Sequence, residues 1–99
     1  MAADEELITS YLDKCGINRK WKGYRFLYLA IKHFYYNQTL DCNKICELIA
    51  SSDEYKGVST KTIYTTASYA IHNSNIPTSS VYQFIADATS EIRRSEVLN

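Results

Sequence analysis

Between Ser59 and His72, polar side chains recur around a narrow apolar face, and their types suit contact with a nucleic acid. With Ile63 at the centre of the buried side, a turn of about 100° per residue sends Lys61, Thr65, Ser68, Tyr69 and His72 outward. Thr62 and Tyr64 fall on the flanks. Hydroxyls and an imidazole hydrogen-bond base edges or phosphate oxygens, and an ammonium neutralises phosphate. Ser59 and Thr60 open the segment and Lys56 precedes it. The candidate DNA-contacting set is therefore Lys56, Ser59, Thr60, Lys61, Thr62, Tyr64, Thr65, Ser68 and Tyr69.

Other constellations point less sharply. Cys42 and Cys46 stand at i and i+4, and with His33 or His72 they could ligate a metal. Closed structural sites usually pair cysteines at tighter spacing across loops, and cysteine is among the residue types most often buried. Neighbours one helical turn apart also point side by side, a poor geometry for a disulfide. Neither a metal nor a cofactor is expected. The chain has no glycine-rich phosphate cradle, no nucleophile elbow and no carboxylate pair with a histidine partner, so no catalytic residue is assigned and an enzyme is not expected. Nine tyrosines are many for 99 residues. Tyr24, Tyr28, Tyr35 and Tyr36 could stack on bases or fill an interface; the alternative buries each ring and leaves its hydroxyl wet.

Net charge is zero, but its distribution is uneven. Lys14, Arg19, Lys20, Lys22, Arg25 and Lys32 lie between positions 14 and 40, a stretch without an acid, so the remainder of the chain is as negative as this window is positive. Such asymmetry fits a surface facing a polyanion. The competing account is a solvated face neutralised by the protein's own acids.

These residues need elements to position them, and the periodicity is helical throughout. Leu7, Ile8, Tyr11, Leu12 and Cys15 predict a first helix over about 4–15, stopped by Gly16 in a left-handed C′ position. A second helix runs from Lys22 or Gly23 to about Tyr36 and is apolar on two sides. Tyr24, Leu27, Ala30, Ile31 and Phe34 form one stripe; Phe26, Leu29, His33 and Tyr36 form the other, which a further helix or a second chain must cover. Gly23 is expected to permit a tight entry into this helix. A third helix spans Asp41 to Ser51, Ser52–Val58 is a polar connector, and Ser59 caps a fourth helix reaching His72. Asn73–Pro77 breaks the chain. Ser80 and Gln83 have capping-box spacing ahead of a last helix defined by Val81, Phe84, Ile85, Ala88 and Ile92, with Arg93 and Arg94 in its final turns. Three glycines and one proline leave too little turn chemistry for a many-stranded fold. The fold class is all-α: one domain over 1–99, a compact five- to six-helix orthogonal bundle containing a helix-turn-helix.

Three further signals carry a resemblance: Ile8-Thr9-x-x-Leu12, Gly16-Ile17, and Lys22-Gly23-Tyr24-Arg25-x-Leu27-x-x-Ala30-Ile31. Leu48-Ile49-Ala50, Ser59-Thr60, Ile63, Ala70 and Ile71 extend it. The chain resembles the C-terminal DNA-binding effector domain of the master response regulator of endospore initiation, over about residues 8–75. That resemblance implies a bacterial transcription regulator that binds double-stranded DNA through the helix at 59–72, often as a homodimer or in tandem, and contacts RNA polymerase. The positions aligned with the family's recognition-helix arginines carry Thr62, Thr65 and Ser68, and the turn between the two motif helices is longer. The expected protein is thus a stand-alone regulator without the family's receiver domain. The alternative is a non-catalytic protein-interaction module that keeps the fold and has lost DNA. Any dimer contact is expected on the second stripe of the second helix or on the last helix. No signal peptide or membrane span is recognisable, and a reducing cytoplasm is the expected location.

Overall fold

The computed structural model describes residues 2–77 and 79–98, with side chains over 5–77 and 79–96. The described residues form five α-helices and one short 3-10 turn, and no strand. They are α1 (Ala2–Lys14), α2 (Lys22–Tyr36), α3 (Cys42–Ala50), the 3-10 turn Asp53–Tyr55, α4 (Thr60–His72) and α5 (Val81–Leu98). None of these helices is long and apolar enough to cross a membrane.

Local chemistry sets most of the ends. Asp41 Oδ1 accepts the Lys44 amide at 2.8 Å and starts α3, and Ser59 Oγ accepts the Thr62 amide at 3.1 Å and starts α4. Ser80 Oγ accepts the Gln83 amide at 3.1 Å, but Gln83 does not complete the box. Its amide instead donates to Asp87 Oδ1 at 2.7 Å, one turn along α5. Gly16 has φ +80° and ends α1 as expected. The carbonyls of that helix end are taken up from far along the chain: Asn75 donates its backbone amide to Cys15 O at 2.8 Å and its side-chain amide to Lys14 O at 3.1 Å.

Helix α2 is the central element and packs on each of the other four α-helices. Its two apolar stripes have different covers. Leu27 and Ile31 are fully buried, and Ala30 and Phe34 nearly so, within the core completed by Ile8, Leu12, Ile63, Ile71, Phe84, Ile85 and Ile92. The second stripe is covered by the chain itself in part, with α3 and the 3-10 turn against it: Phe26 is 3% exposed, its ring 4.7 Å from that of Tyr55, while Leu29 and His33 are half-buried. Tyr36, at the end of the stripe, stays exposed.

One expectation about α2 is revised and one about α5 sharpened. Gly23 does not serve the entry into α2. It lies where α2 crosses α4, and a Cβ built there would sit 2.6 Å from Ala70 Cβ and 2.8 Å from Thr66 O. Arg93 and Arg94 lie in the final turns of α5 but one turn short of its end, because the helix continues to Leu98. Arg93 clasps the C-terminus of α2, donating to Tyr35 O at 2.6 Å with its guanidinium 4.6 Å from the Tyr35 ring centroid. The Tyr35 hydroxyl bonds Glu96 Oε1 from the other side, so the ends of α2 and α5 are tied by one charged cluster.

Gly23 yields a test in which two effects have opposite signs. In an open helix, alanine is favoured over glycine by about 1 kcal/mol. Here the added methyl meets a backbone oxygen that cannot move without moving α4, and overpacking costs about 1–3 kcal/mol. Gly23→Ala should therefore lose stability in denaturant unfolding; a gain would refute the close crossing.

Candidate nucleic-acid interface

Helix α4 is held on its inner side by Ile63, Ala67, Ala70 and Ile71, all buried. This fixes what faces out. Lys61, Thr62, Thr65 and Tyr69 are exposed and Ser68 is half-buried, a row that runs the length of the helix. Tyr69 is 72% exposed and its hydroxyl has no hydrogen-bond partner among the described residues. Lys56, Ser59, Thr60 and Tyr64 are also exposed, so every residue of the sequence-derived set except half-buried Ser68 is open to solvent. Two of its members are committed to local structure. The Ser59 hydroxyl accepts the Thr62 amide and donates to Thr62 Oγ1 at 2.9 Å, so this pair caps α4 before it does anything else.

The row has two flanks. On one side α3 approaches, and Asn43, Cys46, Thr60, Lys61 and Tyr64 line an open groove of about 320 Å³. On the other, the start of α2 approaches through the Gly23 crossing, and Trp21, Lys22, Gly23, Thr66, Tyr69 and Ala70 line a cleft of about 190 Å³. Trp21, Asn43 and Thr66 had not been singled out from sequence. Trp21 sits outside every helical stripe and is the chain's one tryptophan, which is the signal that could have marked it.

Charge at this surface is thinner than the basic window suggests. Arg19 bonds Asp13 twice, at 2.6 and 3.1 Å, and its guanidinium holds the Asp13 carboxyl below the usual carboxylate range. Tyr24 donates to the same carboxylate at 3.1 Å, joining α1 to α2. Arg25 reaches Glu54 in the 3-10 turn at 3.2 Å while lying 5.1 Å from the Tyr28 ring centroid. Lys32 meets Glu5 at 3.4 Å. Half of the window is thus matched by the protein's own acids. The lysines without an ion pair among the described residues are Lys14, Lys20, Lys22, Lys56 and Lys61. All but Lys14 lie on α4, on the connector before it, or at the start of α2 beside the cleft.

The tyrosines divide in the same way. Tyr24 and Tyr28 are buried, so neither offers a ring face for stacking. Of the exposed aromatics, Tyr82 packs edge-on against Phe34 at 5.7 Å, whereas Trp21, Tyr64 and Tyr69 have no aromatic or cationic partner among the described residues. Tyr64 and Tyr69 project from α4, and Trp21 lies beside it.

No group of three His, Cys, Asp or Glu side chains among the described residues converges as a metal site would. Burial and the neighbouring Cys42 push the Cys46 thiol up to about 11, and burial raises Cys42. His33 is half-buried and its pKa is lowered by burial and by Lys32. Comparison with protein-family models, with curated proteins and with solved structures finds no match to this chain.

The raised thiol gives a pH dependence with a definite sign. A group whose folded pKa exceeds its unfolded value loses its contribution as pH rises through the interval between them. For Cys46 that interval runs from the ordinary 9 to about 11. Stability should fall across it, and Cys46→Ala, less stable at pH 7, should show a shallower decline in denaturant melts. An unchanged slope would place the titration elsewhere.

Proposed function

We propose that this protein is a non-catalytic DNA-binding transcription regulator whose α4 lies in the major groove of duplex DNA. One observation carries the reading. Packing against α2 and α3 leaves a continuous outer row of Lys61, Thr65, Ser68 and Tyr69, bordered by the lysines that the protein's own acids leave unpaired. A groove-reading helix needs short polar side chains at base-edge distance and cations for phosphate at its margins. The resemblance of Lys22–Ile31 and Ser59–Thr60 to the sporulation effector domain supports the same assignment.

The roles divide by chemistry. Lys56, Lys61, Lys20 and Lys22 neutralise phosphates, while Thr65 and Ser68 face base edges. Few cations mean modest affinity, since phosphate neutralisation dominates binding to duplex DNA. A second reading, a protein-interaction module on the same fold, is favoured by the pairing of Arg19, Arg25 and Lys32 with internal acids.

Titration of labelled duplexes by anisotropy at low and moderate salt separates the two. The DNA reading predicts binding that weakens steeply with salt. Lys61→Ala should weaken it on every sequence and flatten the logarithmic salt slope by about one. Thr65→Ala or Ser68→Ala should relax preference at particular bases, by about 1–3 kcal/mol each. Glu54→Gln, which frees Arg25 and removes a repelling carboxylate, should tighten binding. No binding by the folded protein at low salt would leave the interaction module.

A further inference from the structure

The cleft between the start of α2 and the second half of α4 shares Tyr69 and Lys22 with the proposed duplex contact but adds Trp21 and Thr66, which that contact does not use. Its floor is Gly23 and Ala70, small because the two helices cross there with no room for a Cβ on Gly23. Trp21 and Tyr69 form part of its wall, 38% and 72% exposed, and neither ring is engaged by another aromatic or by a cation among the described residues. Thr66 adds a hydroxyl, Lys22 stands at the margin, and Lys20 precedes Trp21 in the chain. None of the lining residues is acidic.

We infer that this cleft is a stacking site for an unpaired nucleobase, held against Trp21 and Tyr69 while Lys22 and Lys20 meet the flanking phosphates. The ligand class is single-stranded nucleic acid, or an unpaired base beside a duplex. Aromatic faces interleaved with cations are the recognition chemistry of single strands, because every base has a π-face and every linkage a negative charge. A protein side chain could fill the same volume, but cations at the margin with no acid in the lining favour a negatively charged ligand. The site goes beyond the duplex contact: it shares Tyr69, Lys20 and Lys22 with it but turns on Trp21 and the cleft rather than on Lys61, Thr65 and Ser68.

Trp21 is the only tryptophan, so its fluorescence reports the cleft directly. A short oligothymidylate added to the intact protein at low salt should quench that emission. Tyr69→Ala should weaken oligothymidylate binding about tenfold, as loss of one base–aromatic stack does. Trp21→Ala, followed by anisotropy of the labelled strand, should weaken it comparably, while Tyr82→Ala on α5 should leave it unchanged. Circular dichroism confirms that each variant is folded. Absence of quenching, or quenching that Tyr69→Ala leaves intact, overturns the inference and assigns the cleft to a protein side chain. A blunt duplex run in parallel separates the two proposals. Duplex binding without quenching by the single strand removes the stacking site alone. Quenching by the single strand without duplex binding removes the major-groove reading alone.

Discussion

The close crossing of α2 over α4 at Gly23 is the constraint on which the rest of the arrangement depends. A helix pair normally keeps its axes about 8–10 Å apart because side chains intervene. Here Gly23 faces Ala70 Cβ and Thr66 O at distances that leave no space for a methyl. The consequence runs outward. With its Ala67–Ala70–Ile71 side pressed to α2 and the core, α4 has one orientation, and Lys61, Thr65, Ser68 and Tyr69 are the residues left facing solvent. The same contact brings Trp21 and Lys22 beside Tyr69, so one glycine shapes both the row and the cleft next to it.

Electrostatics then selects within that geometry. The arginines of the basic window act as ties: Arg19 to Asp13 binds the loop before α2 to α1, and Arg25 to Glu54 fastens the 3-10 turn across α2. Each pair is largely solvent-exposed, so its contribution to stability is small. Its effect on function is larger, because a guanidinium already matched by a carboxylate offers less field to a phosphate. What remains at the α4 side is a set of lysines, compact charges that neutralise phosphate without the bidentate geometry by which arginine reads guanine. In the proposed contact with nucleic acid, such lysines serve the backbone, and any base preference falls to Thr65 and Ser68.

Much of this was legible in the sequence, and the limits have physical causes. The all-α class and the bounds of α2, α3 and α4 followed from apolar periodicity, with Gly16 ending α1, Asp41 starting α3 and Ser59 starting α4, since these are local signals. The outward row of α4 followed from the position of Ile63 alone. The role of Gly23 did not, because it requires knowing that residues 66 and 70 lie against it. Nor did the neutralisation of Arg25 by Glu54, 29 positions away, or the clasp of Arg93 on Tyr35. The last turns of α5 carry Arg93-Arg94-Ser95-Glu96, which has no apolar pattern, so the helix extends further than its stripe announces. Trp21 escaped notice because it belongs to no stripe: its place is set by the crossing, not by its own helix.

On the proposed function, the solvent face of α4, fixed by the α2 crossing, is where the protein meets nucleic acid. Backbone amide shifts of the isotope-labelled protein, followed by NMR as duplex DNA is added at low salt, map that contact without presupposing a sequence. Perturbations should be confined to 56–72 and to Trp21–Lys22, with the indole resonance of Trp21 among them. Shifts concentrated on α1 or the outer side of α5, or none at all from a folded protein, would contradict that function.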